Sequence, residues 1–208
     1  MSHPDPLGGH EAAPSADARD SVLMSRLQGG DDRALNALMD HWQQPLVSFL
    51  YRSTGNHTDA VDLAQETFAR LYESRQRYQA RGRFSTWLFT IAANLARNHA
   101  RWRARHPTEA LQGGIDDQEA APERELADPS ATTPAQQLAA GELAGAVREA
   151  IHALPPDLKT AVLLYEYEDF SYQQIAEVEA CSVKAVETRL YRARELLRHL
   201  LKDWRLPD

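Results

Sequence analysis

Residues 107–140 divide this 208-residue chain into two parts, and this division constrains the fold more than any other feature of the sequence. The segment contains four prolines, the Gly113–Gly114 pair, seven acidic residues and one basic residue, but few large apolar side chains. Such a segment buries too little apolar surface to offset the entropy lost on folding. We therefore predict a flexible acidic linker over 107–140, between a first domain (21–106) and a second domain (141–208), and a disordered tail over 1–20.

The apolar residues of the first domain recur at helical spacing, without the alternation that strands require. One predicted helix begins near a cap at Thr58, buries a stripe that ends at Leu71, and carries Asp62, Gln65 and Glu66 on its opposite face. A longer helix is predicted to begin at Ser85. Its apolar stripe contains Leu88, Ile91, Leu95, His99 and Trp102. The pattern is typical of an all-α domain.

The chain carries a formal net charge of −7, yet residues 74–108 contain eight arginines and no acidic residue. A local positive field of this kind attracts polyanions whatever the total charge is. The exposed stripe of the long helix would place arginines for phosphates beside asparagines for base edges. Its members are Thr90, Asn94, Arg97, Asn98, Arg101 and Arg105. The first domain is therefore predicted to bind nucleic acid.

Four aromatic residues at or just before the start of the long helix could stack on unpaired bases: Tyr78, Phe84, Trp87 and Phe89. For Trp87 and Phe89, burial in the core is at least as good an interpretation. Tyr78 lies in the predicted loop, so it is the better stacking candidate.

The second domain contains the pattern of a helix-turn-helix. A short segment that begins at the cap Ser171 is followed by the turn Ala180-Cys181-Ser182 and by a longer helix from Val183. This second helix would bury Val186 and Leu190 and present basic and polar residues to a major groove, as a recognition helix does. The whole chain is therefore predicted to be all-α, with two small helical domains joined by the flexible acidic linker and a helix-turn-helix in the second.

Several classes of function lack support in the sequence. A single cysteine, Cys181, excludes a cysteine-rich zinc site, and the histidines show no spacing typical of metal ligands, so we expect no metal and no cofactor. We find no phosphate-binding glycine loop and no activated nucleophile, so we expect no catalytic residues and no small-molecule substrate. The chain shows no targeting signal and no membrane-spanning stretch, and we expect a cytoplasmic protein without membrane insertion.

Three segments together resemble the bacterial RNA polymerase sigma factors of the extracytoplasmic-function (ECF) type. Residues 62–68 (DLAQETF) look like the family's helix that binds core polymerase, and residues 84–95 (FSTWLFTIAANL) are similar to the stretch that leads into its promoter-melting helix. Residues 171–176 (SYQQIA) and 186–194 (VETRLYRAR) resemble its helix-turn-helix for the minus-35 element. The resemblance covers most of 21–106 and 141–206. Ala180 stands where many members have a glycine in the turn.

The resemblance implies a role for each part of the chain. The first domain would be sigma region 2, in which Asp62, Gln65 and Glu66 bind core RNA polymerase, and the second would be sigma region 4. The linker would run through the polymerase toward its RNA exit path. The minus-10 element would be recognised and melted by Tyr78, Arg83, Trp87, Asn94, Arg97, Asn98, Arg101 and Arg105. The minus-35 element would be read by Lys184, Thr188, Arg189, Tyr191, Arg192 and Arg194.

The implied function is that of a non-catalytic specificity subunit that directs core polymerase to promoter DNA, with an anti-sigma factor as a further partner. The main alternative is a stand-alone helix-turn-helix regulator whose first domain senses a ligand or dimerises. That alternative accounts for the second domain but leaves the arginine-rich segment and the acidic linker unexplained. Tight binding of duplex promoter DNA without polymerase would support it.

Overall fold

A computed structural model describes residues 16–80, 82–106, 134–202 and 204, and the secondary structure in these ranges is helical, as the sequence predicts. The first domain contains α1 (Ala16–Gln28), α2 (Arg33–Thr54), α3 (His57–Ser74), a short 3-10 turn (Arg75–Arg77) and α4 (Phe84–Arg105). The second contains α5 (Pro134–His152), α6 (Pro156–Glu166), α7 (Tyr172–Val178) and α8 (Val183–Leu200). Most of the predicted tail and linker lies outside the described residues.

Two segment boundaries differ from the sequence prediction. Residues 16–20, assigned to a disordered tail, form the start of α1, and residues 134–140, assigned to the linker, form the start of α5. Composition alone did not reveal α1 because its stabilising contacts come from distant residues. Asp20 is buried and accepts a hydrogen bond from the indole Nε1 of Trp42 at 3.1 Å. The apolar side chains Leu23, Met24 and Leu27 then pack into the core.

The two caps predicted for the helix-turn-helix are correct, whereas the helix starts predicted in the first domain are shifted. Asn56, rather than Thr58, caps α3, and its side-chain oxygen accepts a hydrogen bond from the backbone of Asp59. Helix α4 begins one residue before Ser85, which is buried inside it. Ser171 and Ser182 cap α7 and α8 as predicted. Together α7, the turn and α8 form the expected helix-turn-helix.

Buried side chains of the two domains form one continuous apolar core. Helices α1 to α4 enclose Phe49, Phe84 and Phe89, while α6, α7 and α8 enclose Leu163, Leu164, Ile175 and Leu190. Helix α7 also packs on α4, and α5 and α6 pack on α2. The two domains are therefore in direct contact, which the prediction of a flexible connection did not anticipate.

Candidate nucleic-acid interface

Helix α4 presents a polar stripe on the face opposite its buried residues. Asn94, Asn98, Arg101 and Arg105 are exposed, and Arg97 is half-buried. Two hydrogen bonds order this stripe, because Arg97 donates to the amide oxygen of Asn94 at 2.8 Å and Arg101 donates to that of Asn98 at 2.7 Å. The i, i+3 spacing on a helix places these pairs side by side. The result is a row of alternating amide and guanidinium groups along one surface.

The aromatic residues near the start of α4 lie mainly inside the protein. Tyr78, the predicted stacking residue, is only 7% exposed, and its ring packs 5.1 Å from that of Trp87. The loop that holds Tyr78 is fixed to α1, since Gln28 donates to the backbone oxygens of Arg75 and Tyr78. Phe84 and Phe89 are fully buried, whereas Trp87 is half-buried. Of the four candidates, Trp87 therefore offers the largest accessible ring.

Arg83 lies in the loop before α4 and is exposed. Its guanidinium forms an ion pair with Asp17 of α1 at 3.0 Å. Exposed ion pairs contribute little to stability and are broken readily. The side chain can therefore exchange its carboxylate partner for a phosphate.

Helix α3 has a buried apolar face and an exposed acidic face. Ala64, Phe68 and Leu71 are buried, whereas Asp62, Gln65 and Glu66 are exposed, as their positions in the helical repeat predict. Glu66 pairs with Arg70 one turn later at 2.7 Å, and both side chains are about half exposed. The three polar residues are accessible to a partner protein.

Helix α8 places five of the six predicted minus-35 residues on its surface: Lys184, Thr188, Tyr191, Arg192 and Arg194. Lys184 pairs with Glu187 at 2.7 Å, and Tyr191 is 66% exposed. The side-chain oxygen of Ser182 caps the first turn of α8, and Lys184 and Thr188 lie exposed in the N-terminal half of this helix. This is the half that enters a major groove in helix-turn-helix proteins.

Arg189, the sixth residue, has a different environment. Its guanidinium pairs with the carboxylate of Glu179, whose side chain is completely buried, and lies 3.7 Å from Asp157 and 3.6 Å from the sulfur of Cys181. Burial raises the pKa of Glu179, while the charges of Arg189 and Arg97 act in the opposite direction. Oε1 of Glu179 has no hydrogen-bond partner. Arg189 therefore compensates a buried charge inside the helix-turn-helix.

The sequence analysis did not predict that a tryptophan near the end of α4 is exposed and stacked between two histidines. Trp102, assigned to the apolar stripe of α4, is 41% exposed and is stacked between His99 and His106, with ring centroids 6.5 Å and 4.8 Å away. His99 faces Asp59 at 3.4 Å, and burial lowers its pKa although Asp59 opposes the shift. The helical spacing of three and four residues that produces this stack was visible in the sequence, but the exposure was not.

The described residues contain no group of three or more histidine, cysteine or acidic side chains that could hold a metal ion. None of the helices in the described ranges combines the length and apolarity needed to cross a membrane.

A basic helix with an amide row and a separate capped helix-turn-helix define a two-domain DNA-binding protein of the transcription machinery. Family models agree: residues 38–106 match sigma-70 region 2, and residues 144–197 match sigma-70 region 4. Over 183 residues, covering 88% of this chain and 95% of the relative, the sequence is 34% identical to the ECF RNA polymerase sigma-E factor of Haemophilus influenzae. It is also 34% identical to the RNA polymerase sigma-H factor of Pseudomonas aeruginosa, covering 86% of this chain and 92% of that one.

The chain belongs to the ECF sigma factors, as the three sequence segments indicated. It is a promoter-directing initiation factor of RNA polymerase rather than a stand-alone regulator. Membership also implies a non-catalytic subunit.

Solved structures agree on the fold. The sigma factor RpoE of Bartonella quintana, in complex with the anti-sigma factor NepR, aligns with a TM-score of 0.61 at 23% identity, covering 82% of this chain and 98% of that one. CnrH in complex with the cytosolic domain of CnrY aligns with a TM-score of 0.63 at 23% identity, covering 90% of this chain and 99% of the other.

Proposed function

We propose that residues 21–106 bind core polymerase and open the minus-10 element, while residues 141–208 read the minus-35 element. The observation that carries this division is the pair of distinct polar surfaces. The polar stripe of α4 combines amides and arginines, whereas the exposed face of α8 belongs to a helix-turn-helix. The polar stripe of α4 suits binding of an unpaired DNA strand, and the exposed face of α8 suits binding in the major groove of duplex DNA.

In the second domain, Thr188 and Arg192 lie at adjacent turns on the exposed face of α8, where side chains reach base edges in a major groove. We propose that they supply sequence preference. Lys184 lies on the first turn of this face, whereas Arg194 lies nearer the end of α8 with its guanidinium 3.5 Å from Glu166 of α6; both side chains are exposed and suit contacts with the phosphate backbone. Tyr191, with its exposed ring, is suited to pack against sugar or a thymine methyl group. For Arg189 we propose an indirect role, because its guanidinium already compensates Glu179.

In the first domain, Asn94 and Asn98 are suited to base edges, and Arg97, Arg101 and Arg105 to phosphates. Trp87 can stack on a flipped base, which lowers the cost of unstacking that base from the duplex. Tyr78 is proposed to support Trp87 from below rather than to touch DNA, since the two rings are in contact inside the fold. Arg83 would help to hold the strand at the start of α4.

The acidic face of α3 is the proposed contact with core polymerase. Asp62, Gln65 and Glu66 are exposed together and suit a basic partner surface. We further propose that the chain has no enzymatic activity of its own and works in the cytoplasm, where bacterial RNA polymerase transcribes. The structural neighbour RpoE was solved in complex with the anti-sigma factor NepR, which supports an anti-sigma factor as a partner here too.

The decisive experiment adds the purified protein to bacterial core polymerase and sequences transcripts from a genomic fragment library. We expect new, promoter-specific start sites with a shared minus-35 and minus-10 sequence. Retardation of such a promoter fragment should be weak with the protein alone and strong with core polymerase present. Equal affinity with and without polymerase, and no new start sites, would refute the proposal.

A matched pair of variants separates the two domains. Arg192→Ala should weaken binding at particular minus-35 base pairs by about 1–3 kcal/mol and relax the preference there. Arg101→Ala should weaken promoter opening at all promoters and flatten its salt dependence by about one unit of slope. Permanganate footprinting reports strand opening independently of minus-35 occupancy. The opposite pattern in the two variants would reverse the domain assignment.

A further inference from the structure

A stack of three aromatic rings lies at the C-terminal end of α4, beside the polar stripe. The indole of Trp102 is nearly parallel to the imidazoles of His99 and His106, with interplanar angles of 27° and 23°. His99 is half-buried, whereas Trp102 and His106 are exposed. A tryptophan with one apolar side packed and another side wet is enriched at binding surfaces. The stack is therefore a candidate contact for a partner.

The rings are held in place at both ends of the stack. At the inner end, the carboxylate of Asp59 on α3 lies 3.4 Å from Nε2 of His99 and accepts a hydrogen bond from Arg103 at 3.1 Å. At the outer end, Nδ1 of His106 lies 2.9 Å from the backbone oxygen of Trp102. Because a carbonyl oxygen only accepts hydrogen bonds, Nδ1 carries a proton. Rings that are fixed in advance lose little entropy when a ligand binds.

The charge around the stack favours an anionic partner. Arg101 and Arg105 directly precede Trp102 and His106 in the chain, and both arginines are exposed. The charge of Asp59 is compensated by its ion pair with Arg103. Burial lowers the pKa of His99, so this imidazole is neutral near pH 7 and keeps its place in the stack without adding charge.

The arrangement of the rings decides which part of a DNA strand can bind. Imidazoles lie over both faces of the Trp102 indole, so a base cannot stack on it, and the exposed edge of the ring is what a ligand meets. Such an edge suits the apolar carbons of a deoxyribose. Nε2 of His106 is not used by the Trp102 carbonyl, and once protonated it can donate to a phosphate oxygen. The stack therefore suits the sugar–phosphate backbone.

The stack and Trp87 mark opposite ends of the polar stripe. The two tryptophans are 15 positions apart within α4, which corresponds to about 22 Å at 1.5 Å per residue. At a rise of 3.4 Å per nucleotide, this length equals about six nucleotide steps. A strand that stacks a base on Trp87 and follows the stripe would reach the stack about six nucleotides away.

We infer that Trp102 and His106 form a further promoter contact, in which a deoxyribose packs on the edge of Trp102 and the adjoining phosphate accepts a hydrogen bond from Nε2 of His106. This inference rests on the proposed function of the polar stripe. The contact fixes the path of the strand at the far end of the stripe from Trp87. It carries no sequence information, because every nucleotide offers the same sugar and phosphate.

Uncharged methylphosphonates, placed singly along both strands of a promoter from the start-site experiment, test the phosphate contact with the full-length chain on core polymerase. The base that stacks on Trp87 is located first, as the abasic site whose cost disappears in Trp87→Ala. One methylphosphonate about six nucleotides from that base should weaken wild-type binding about two- to tenfold. It should have no effect in His106→Phe, which keeps a ring but lacks Nε2. A coupled position within two nucleotides of the Trp87 base would contradict the inference.

A matched control comes from another exposed histidine of the first domain. His41 lies on α2 and packs against the ring of Trp42 with centroids 5.0 Å apart. His41→Ala should respond to every methylphosphonate as the wild type does. Trp102→Leu keeps apolar bulk but removes the stack, and it should weaken promoter binding about two- to fivefold with the melting temperature nearly unchanged. Wild-type affinity in Trp102→Leu would contradict a role for the ring.

Proton uptake gives a second readout. Because Nδ1 of His106 already carries a proton, the imidazole must bind a second proton to donate through Nε2. The phosphate and the carboxylate of Asp59 on α3 favour this uptake, while Arg103 and Arg105 beside His106 oppose it. The affinity of the wild type should therefore exceed that of His106→Phe by a larger factor at pH 6 than at pH 8. A ratio that does not change with pH would contradict the phosphate contact.

The possible failures are distinguishable. A wild-type protein that gives no promoter-specific binding with core polymerase, or an Arg101→Ala variant that opens promoters normally, would contradict the proposed function itself. If Arg101→Ala is defective but His106→Phe behaves like His41→Ala, only the contact of the stack is refuted. If His106→Phe cancels the cost of an abasic site instead of a methylphosphonate, a base occupies the stack and the assignment to the backbone is wrong.

Discussion

Replacing Arg189 by alanine should destabilise the second domain, although the sequence assigns this residue to DNA. The guanidinium pairs with Glu179, whose side chain is completely buried. Breaking a buried ion pair by removing one partner costs about 3–5 kcal/mol, because an uncompensated charge remains in the interior. The variant is therefore expected to unfold at lower denaturant concentration than the wild type.

The destabilisation caused by Arg189→Ala should depend on pH. Without Arg189, the carboxylate of Glu179 can lose its unpaired negative charge by taking up a proton. Its ordinary pKa is 4.5. At 1.36 kcal/mol per pH unit, holding it protonated costs about 3 kcal/mol at pH 7 and about 1 kcal/mol at pH 5. Burial raises the folded-state pKa of Glu179, so this group favours folding at low pH and opposes it as the pH rises. The destabilisation should therefore shrink from pH 7 to pH 5.

Urea unfolding monitored by circular dichroism at both pH values measures the effect. Arg192→Ala is the matched control: Arg192 is exposed on the same helix, and its loss should change stability within about 0.5 kcal/mol. Adding Glu179→Gln to Arg189→Ala removes the buried charge and should recover most of the stability at pH 7. The reasoning fails if Arg189→Ala is as stable as Arg192→Ala, or if its deficit is the same at pH 5 as at pH 7.

Three further results are expected. Reversing the charges of Asp62 and Glu66 together should reduce association with core polymerase in a pull-down assay, with melting temperature nearly unchanged because both residues are exposed; a variant that unfolds would show that this face is structural. Ala180 has φ +49°, so Ala180→Gly should stabilise the protein by about 0.5–1 kcal/mol in urea unfolding, and a loss of stability would contradict strain in the turn. Burial, with help from Lys159 and Arg148, lowers the pKa of His152 to about 4, so the folded state loses stability as pH falls from 6.5 to 4. That loss should be up to about 2 kcal/mol after allowance for partial exposure. Thermal unfolding of the wild type and of His152→Gln between pH 6.5 and pH 4 measures this loss of stability, which should be absent in the variant. If the variant loses as much stability as the wild type over this range, His152 is not the source of the loss.

Local features of the sequence predict most of the helices and their exposed faces. Ser171 and Ser182 cap the two helices of the helix-turn-helix because, at the start of a helix, the side-chain oxygen of the N-cap residue reaches the backbone amide three residues later. The acidic face of α3 follows equally from the helical repeat, which separates Asp62 and Glu66 from the buried Phe68.

Positions that depend on distant residues were predicted less well. Tyr78 lies in a loop, as expected, but α1 covers it, and α1 was hidden in a segment whose composition resembles a tail. Arg189 has the helical position of a DNA-reading residue. Its partner Glu179 is ten residues away, across the turn, and the burial of that carboxylate cannot be read from spacing.

The sequence by itself therefore determined the all-helical class, the helix-turn-helix and the family, because capping, periodicity and motif order depend on residues near one another in the chain. Only the tertiary structure decided that Tyr78 is covered, that Arg189 is paired with a buried carboxylate, and that the two domains are in contact with each other. Gln174 and Thr86 are 88 residues apart in sequence, and Lys159 and Ser53 are 106 apart. Contacts at such separations depend on how complete helices pack, and no local pattern encodes them.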